Sequence, residues 1–145
     1  MTKAKLALSL LAAILLPVLW FNGAAIREQW EGAPAMTLQA RCANPQLGCS
    51  FTLQGQAYRL SSDQPLRAGT PFFLTLEGPG HKVSASWQMQ GMEMGPNRYQ
   101  LQAIGDGQWR TRTALPVCNQ QRQDWELHLL IDQHRVVLTL SERAE

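Results

Sequence analysis

From Met36 onward the apolar residues fall on every second position, and the helical spacing of three and four disappears. Val83, Ala85, Trp87 and Met89 alternate with Ser84, Ser86 and Gln88. Trp125, Leu127 and Leu129 alternate with Glu126 and His128. Such a chain buries one face of a strand and wets the other. The pattern predicts strands at about 36–41, 50–54, 56–61, 71–77, 82–89, 97–104, 108–114, 125–131 and 134–140. Turn chemistry separates them. Gly55 breaks "FTLQGQAYRL", Asp106-Gly107 is a strong hairpin signal, and "EGPGHK" and "IDQHRV" read as turns. Pro71 stands at a strand start, where its missing N–H costs least.

Eight or nine short strands at this spacing imply an all-β fold, an immunoglobulin-like antiparallel β-sandwich spanning residues 36–145. A domain of that size can bury a two-sheet core. Trp109, Leu115, Trp125, Leu127, Leu129 and Ile131 are its expected core, with His128 facing the other way. Gln88, Gln90, Gln100 and Gln102 read as a solvated face.

The first 26 residues have a different character. Lys3 and Lys5 precede an uncharged run from Leu6 to Ile26 whose densest part is "LALSLLAAILLPVLWF". This is a basic start followed by a hydrophobic segment. About 20 apolar residues span a bilayer. Trp20 and Phe21 fall where an interfacial aromatic belt lies, and the lysines fit the positive-inside rule. The expectation is one N-terminal transmembrane helix over residues 1–26, an uncleaved signal anchor, with everything after Arg27 exported. The alternative is a signal peptide cleaved after Ala25. Residues 27–35, ending in a Gly- and Pro-containing stretch, form the expected linker.

Charge divides the chain in the same way. The formal net charge is +2, and Lys3 and Lys5 account for it. What remains is near neutral, without a basic stripe for nucleic acid. Three cysteines in an oxidising compartment allow one disulfide and one leftover thiol. Cys42 and Cys49 flank the turn-rich "ANPQLG" and could close locally. A long-range pair of Cys49 with Cys118 is the alternative.

One stretch carries candidate chemistry. "WQMQGMEMG", residues 87–95, holds three of the chain's five methionines beside a tryptophan. Met89 shares parity with Val83, Ala85 and Trp87 and reads as a core gap-filler. Met92 and Met94 have the opposite parity and follow Gly91, which reads as a bulge or bend. Two extended M-x-M side chains share one side, their Cα atoms roughly 6–7 Å apart. Thioethers are soft and uncharged, so they select Cu(I) over Zn(II), Mg(II) or Ca(II). The candidate metal ligands are Met92 and Met94, with His81 or Met89 as a third. His81 lies at the other end of its strand and reaches Met92 only if the chain folds back or two copies meet. His128, His134 and Cys118 are further donors from other segments. The bland reading is that the methionines cap the core or form a pliable contact surface.

Other chemistries lack their residues. No G-x-S-x-G nucleophile elbow, C-x-x-C redox motif or zinc-type cluster of Cys and His occurs. A blue-copper site needs a Cys followed closely by His and Met, whereas the next histidine after Cys118 is His128 and no methionine follows. A non-enzymatic role is expected.

The layout of hydrophobic segment, linker and β-domain, with "WQMQGMEMGPNRYQL", "GDGQWRTRTALPVC" and "DW", resembles small membrane-anchored proteins of Gram-negative bacteria, the FixH-like and YtkA-like group. The resemblance covers about residues 80–125 and the overall plan. It implies a periplasmic immunoglobulin-like domain that binds or delivers Cu(I) in respiratory oxidase assembly or copper homeostasis. A membrane respiratory enzyme or another copper carrier would be its partner. The tryptophan–methionine association is also similar to that of CusF-type periplasmic copper carriers. Here Trp87 precedes Met92 by five positions rather than three, so no tryptophan cap is carried over.

Overall fold

Ten strands build two five-stranded sheets in the computed structural model, which describes Pro17 and residues 36–92, 94, 97–117 and 124–141. In chain order they are β1 (Met36–Cys42), β2 (Cys49–Leu53), β3 (Gln56–Ser62), β4 (Phe72–Glu77), β5 (Val83–Met89), β6 (Arg98–Gln100), β7 (Gln102–Gly105), β8 (Gln108–Thr113), β9 (Asp124–Ile131) and β10 (His134–Ser141). The first sheet runs β1-β10-β9-β5-β6 and the second β2-β3-β4-β8-β7. Neighbours pair antiparallel except β1 with β10, which are parallel. The expected all-antiparallel arrangement is corrected there. The first strand enters the first sheet beside the last, far from it in sequence, and runs in the same direction.

The expected core rows are the rows that meet. Val83, Ala85, Trp87 and Met89 of β5 lie beside Trp125, Leu127, Leu129 and Ile131 of β9. Val136, Leu138 and Leu140 of β10 extend that face. Phe51, Leu53, Tyr58, Leu60, Phe72, Leu74 and Leu76 supply the facing layer, and all of these are buried. Trp87 joins the two layers. It is fully buried, meets Phe72 edge-on with ring centroids 5.8 Å apart, and donates from Nε1 to Thr113 Oγ1 at 2.8 Å. Among the described residues every buried core residue lies between Cys42 and Leu140, so this unit contains its own hydrophobic core. The chain divides at Ala33–Pro34, and all ten strands belong to the second unit.

Two covalent features tie the sheets at opposite flanks. A disulfide joins Cys42 of β1 to Cys49 of β2, the local pairing of the two alternatives, with Cα atoms 5.4 Å apart. At the other flank the expected strand 97–104 divides. Arg98–Gln100 pairs with β5 in the first sheet, and Gln102–Gly105 pairs with β8 in the second. Leu101 makes the crossing, buried, its N–H bonded to Val83 O at 2.9 Å.

The pole at the β9–β10 turn is locked by polar groups. Asp132, in left-handed conformation, accepts the N–H groups of His81 and Lys82 on Oδ1, each at 2.9 Å. Its Oδ2 lies 3.5 Å from His81 Nδ1. Tyr58 Oη donates to Pro79 O at 2.9 Å, and Trp109 Nε1 to Gly78 O at 3.2 Å. Trp109, expected in the core, is half-buried because it ends its row at this pole and spends its indole N–H on the turn.

The N-terminal hydrophobic segment, the linker 27–35 and Cys118 lie outside the described residues. Among the described residues no helix is long and apolar enough to cross a membrane.

Candidate functional site

The methionine stretch forms a two-residue turn at the end of β5. Met89, the last residue of the strand, sits opposite Trp125 of β9. The chain then reverses through Gln90 and Gly91. Met92 N–H bonds back to Met89 O at 3.0 Å, and the two methionines form an isolated antiparallel bridge. Gly91 has φ +73, and a Cβ there would meet nothing within 4 Å. Glycine is therefore used for its backbone conformation, since space is not limiting.

This turn corrects the parity argument. Counting alternate positions holds along a single strand. Across a two-residue reversal, bridged residues face each other and share a side. Met92 therefore joins Met89 on the core-facing side, whereas an uninterrupted count put it on the other. Met89 is sealed, with 2% of its surface exposed, while Met92 and Met94 are half-buried and pack against the core from outside.

Two side-chain amides bracket the turn. β6 pairs with Ser84, Ala85 and Ser86 of β5, and among the described residues no strand continues along that edge. Asn97 substitutes for one. Its Oδ1 accepts Trp87 N–H at 2.7 Å and its Nδ2 donates to Trp87 O at 2.8 Å. Gln88 Oε1 accepts Met94 N–H at 3.3 Å, and Gln90 N–H reaches Asp124 O at 3.3 Å. Sequence reasoning missed Asn97 and Gln88. The available signal was the Gln90-Gly91 pair between two apolar residues, a two-residue hairpin rather than a bulge.

Of the four expected ligands, Met89 and Met92 are bridged across the turn and Met94 follows two residues on. His81 lies before the opposite end of β5, and the six residue steps from Val83 to Met89 span roughly 20 Å. Its side chain is 97% exposed, with Nδ1 3.5 Å from Asp132 Oδ2. The chain does not fold back to carry it to the turn, so His81 does not meet Met92 within one chain. His128 faces outward on β9 with Nε2 3.2 Å from Glu126 Oε2. His134 bonds Gln54 Nε2 at 2.7 Å at the start of β10. Cys42 and Cys49 are consumed by their disulfide. Among the described residues no group of three or more His, Cys, Asp or Glu side chains could hold a metal. The sulfur-bearing residues at the turn are Met89, Met92 and Met94, whose soft, neutral thioethers would favour Cu(I) over Zn(II).

Comparison with known protein families finds no matching family model, and comparison with curated proteins and with solved structures finds no match.

Proposed function

We propose that this chain is a membrane-tethered, non-enzymatic accessory protein whose exported immunoglobulin-like sandwich binds Cu(I) at the Met89–Met94 turn. Residues 6–26 anchor it in the inner membrane, and the domain faces the periplasm. Met92 and Met94 are the primary ligands and Met89 the third. His81 contributes only where a second copy presents it. The tether concentrates the domain near a membrane respiratory enzyme or another copper carrier that receives the ion. The resemblance to the FixH-like and YtkA-like group belongs to the same proposal.

One observation carries the reading: the Gln90–Gly91 turn sets Met92 opposite Met89, with Met94 two residues beyond and half-buried beside the same core. Thioethers have no proton to lose, so Cu(I) affinity stays flat between about pH 5 and about pH 8, unlike a thiolate site. The test is a titration of the full chain, in non-ionic detergent, with Cu(I) against a chromophoric chelator. A one-to-one complex is expected, lost in the Met92→Leu/Met94→Leu double variant, whose urea midpoint stays near that of the parent. Absence of binding, or equal binding by the variant, overturns the proposal.

A second reading follows from the same packing. Because Met92 and Met94 lie against the core, they serve equally well as an apolar lid on a metal-free anchored interaction module. That reading expects partner capture to persist in chelator-treated buffer and to weaken when the two methionines become polar.

A further inference from the structure

The turn arranges three thioethers in order of access. Met89 is buried at the base of the hairpin, while Met92, bridged to it, and Met94 are half-buried against the core. Bonds at the hairpin include Met92 N–H to Met89 O at 3.0 Å, Met94 N–H to Gln88 Oε1 at 3.3 Å and Gln90 N–H to Asp124 O at 3.3 Å. Met36 offers a contrast on the same sheet. It is 48% exposed and pairs with His134, at the opposite end of the strands from Met89 and Trp125.

We infer that Met92 and Met94 form an ordered oxidation site that guards Met89. The reactant is a two-electron oxygen donor of the peroxide class. Thioether sulfur attacks one peroxide oxygen, the O–O bond breaks, the sulfur becomes a sulfoxide and the second oxygen leaves as water. The sulfur loses two electrons and the peroxide gains them. The product is polar where the reactant was apolar. Sulfoxide at Met92 places that polarity against Met89 and the core, so the hairpin no longer seats. Met89 then becomes accessible and is oxidised in turn. Methionine sulfoxide reductases reverse the modification. The inference stands without the metal, because it uses only exposure, packing and thioether chemistry.

The sequence supplies a direct readout. Lys82 and Arg98 bound a tryptic peptide that contains Met89, Met92 and Met94, while Met36 falls in another. The full chain, in peroxide-free non-ionic detergent with a metal chelator, is treated with a dose of hydrogen peroxide low enough for single hits, quenched, digested and sequenced by tandem mass spectrometry. Singly oxidised 83–98 peptide is expected to carry its oxygen at Met92 or Met94. Oxygen at Met89 is expected only in peptides already oxidised at one of the others. Reaction of Met89 in the intact protein is expected to be slower than that of Met36 by about tenfold or more, the protection that a local opening equilibrium provides. In guanidinium the three methionines of the peptide react alike. In the Met92→Leu/Met94→Leu variant Met89 stays protected at doses that oxidise it in the parent. Singly oxidised peptide bearing its oxygen at Met89 as often as at Met92 overturns the inference. So does a Met89 rate in the variant equal to the parent's. Unchanged Trp fluorescence of the variant separates a loss of ordering from a loss of fold.

Discussion

At the scale of single residues, one hydrogen bond links the two layers through their core. The Trp87 indole is buried between them, and Thr113 is the acceptor that makes its N–H tolerable there. Thr113→Val keeps the shape and removes the acceptor. The expected cost is about 1–3 kcal/mol, the penalty of a buried donor left unpaired, read from the urea midpoint. The core positions themselves were legible, since Trp87, Leu127 and Leu129 needed only their parity. The partner of the Trp87 indole was not, because it lies 26 positions away on a strand of the other sheet. Asn97 was hidden for a related reason. An asparagine after a proline reads as a turn residue, and nothing in its neighbourhood says that its amide will replace a strand beside Trp87.

At the scale of elements, the strands were legible and the reversals between them less so. Alternation located nine segments, but it could not show that Leu101 divides one of them between two sheets. Leu101 continues the apolar pattern either way. Nor could parity be carried across Gln90–Gly91, where two residues reverse the chain and reset the facing side. That turn gives its own prediction. Gly91→Ala meets no steric obstacle yet must adopt φ +73, so it should lose about 1 kcal/mol in denaturant melts and loosen the Met92 pairing. The β9–β10 turn provides a pH test. Burial raises the Asp132 pKa, but the N–H groups of Lys82 and His81 and the His81 side chain outweigh it, so the carboxyl sits below its ordinary 3.8. A depressed folded-state pKa gives stability that is complete above the unfolded value. It drains as pH falls through the folded value. Asp132→Asn is expected to flatten the acid limb of the stability curve below about pH 4 while leaving the neutral limb parallel to the parent's.

At the scale of the whole molecule, the candidate site is less legible than the fold. The sequence pointed to Met92, Met94 and Met89 because three thioethers lie within six positions, and to His81 because it was the nearest histidine. Nearness along a strand is distance in space, and the extended β5 separates what the sequence sets close together. The disulfide illustrates the opposite case. Cys42 and Cys49 are close in both senses, on facing flanks of the two sheets. Cys42→Ser with Cys49→Ser should lower stability by about 2–3 kcal/mol, as expected for opening a loop of this length, measured by urea denaturation without reductant.

The Leu101 crossing gives the sandwich a spine like that of a bound book, with the Cys42–Cys49 bridge as a clasp at the opposite edge, where the six-residue loop 43–48 is the longer strap. Reductant undoes the clasp and cannot touch the spine. The first breathing of the reduced protein should therefore splay β1 from β2 while β6 and β7 stay hinged. Amide exchange in β1 and β2 should quicken well before exchange at Leu101.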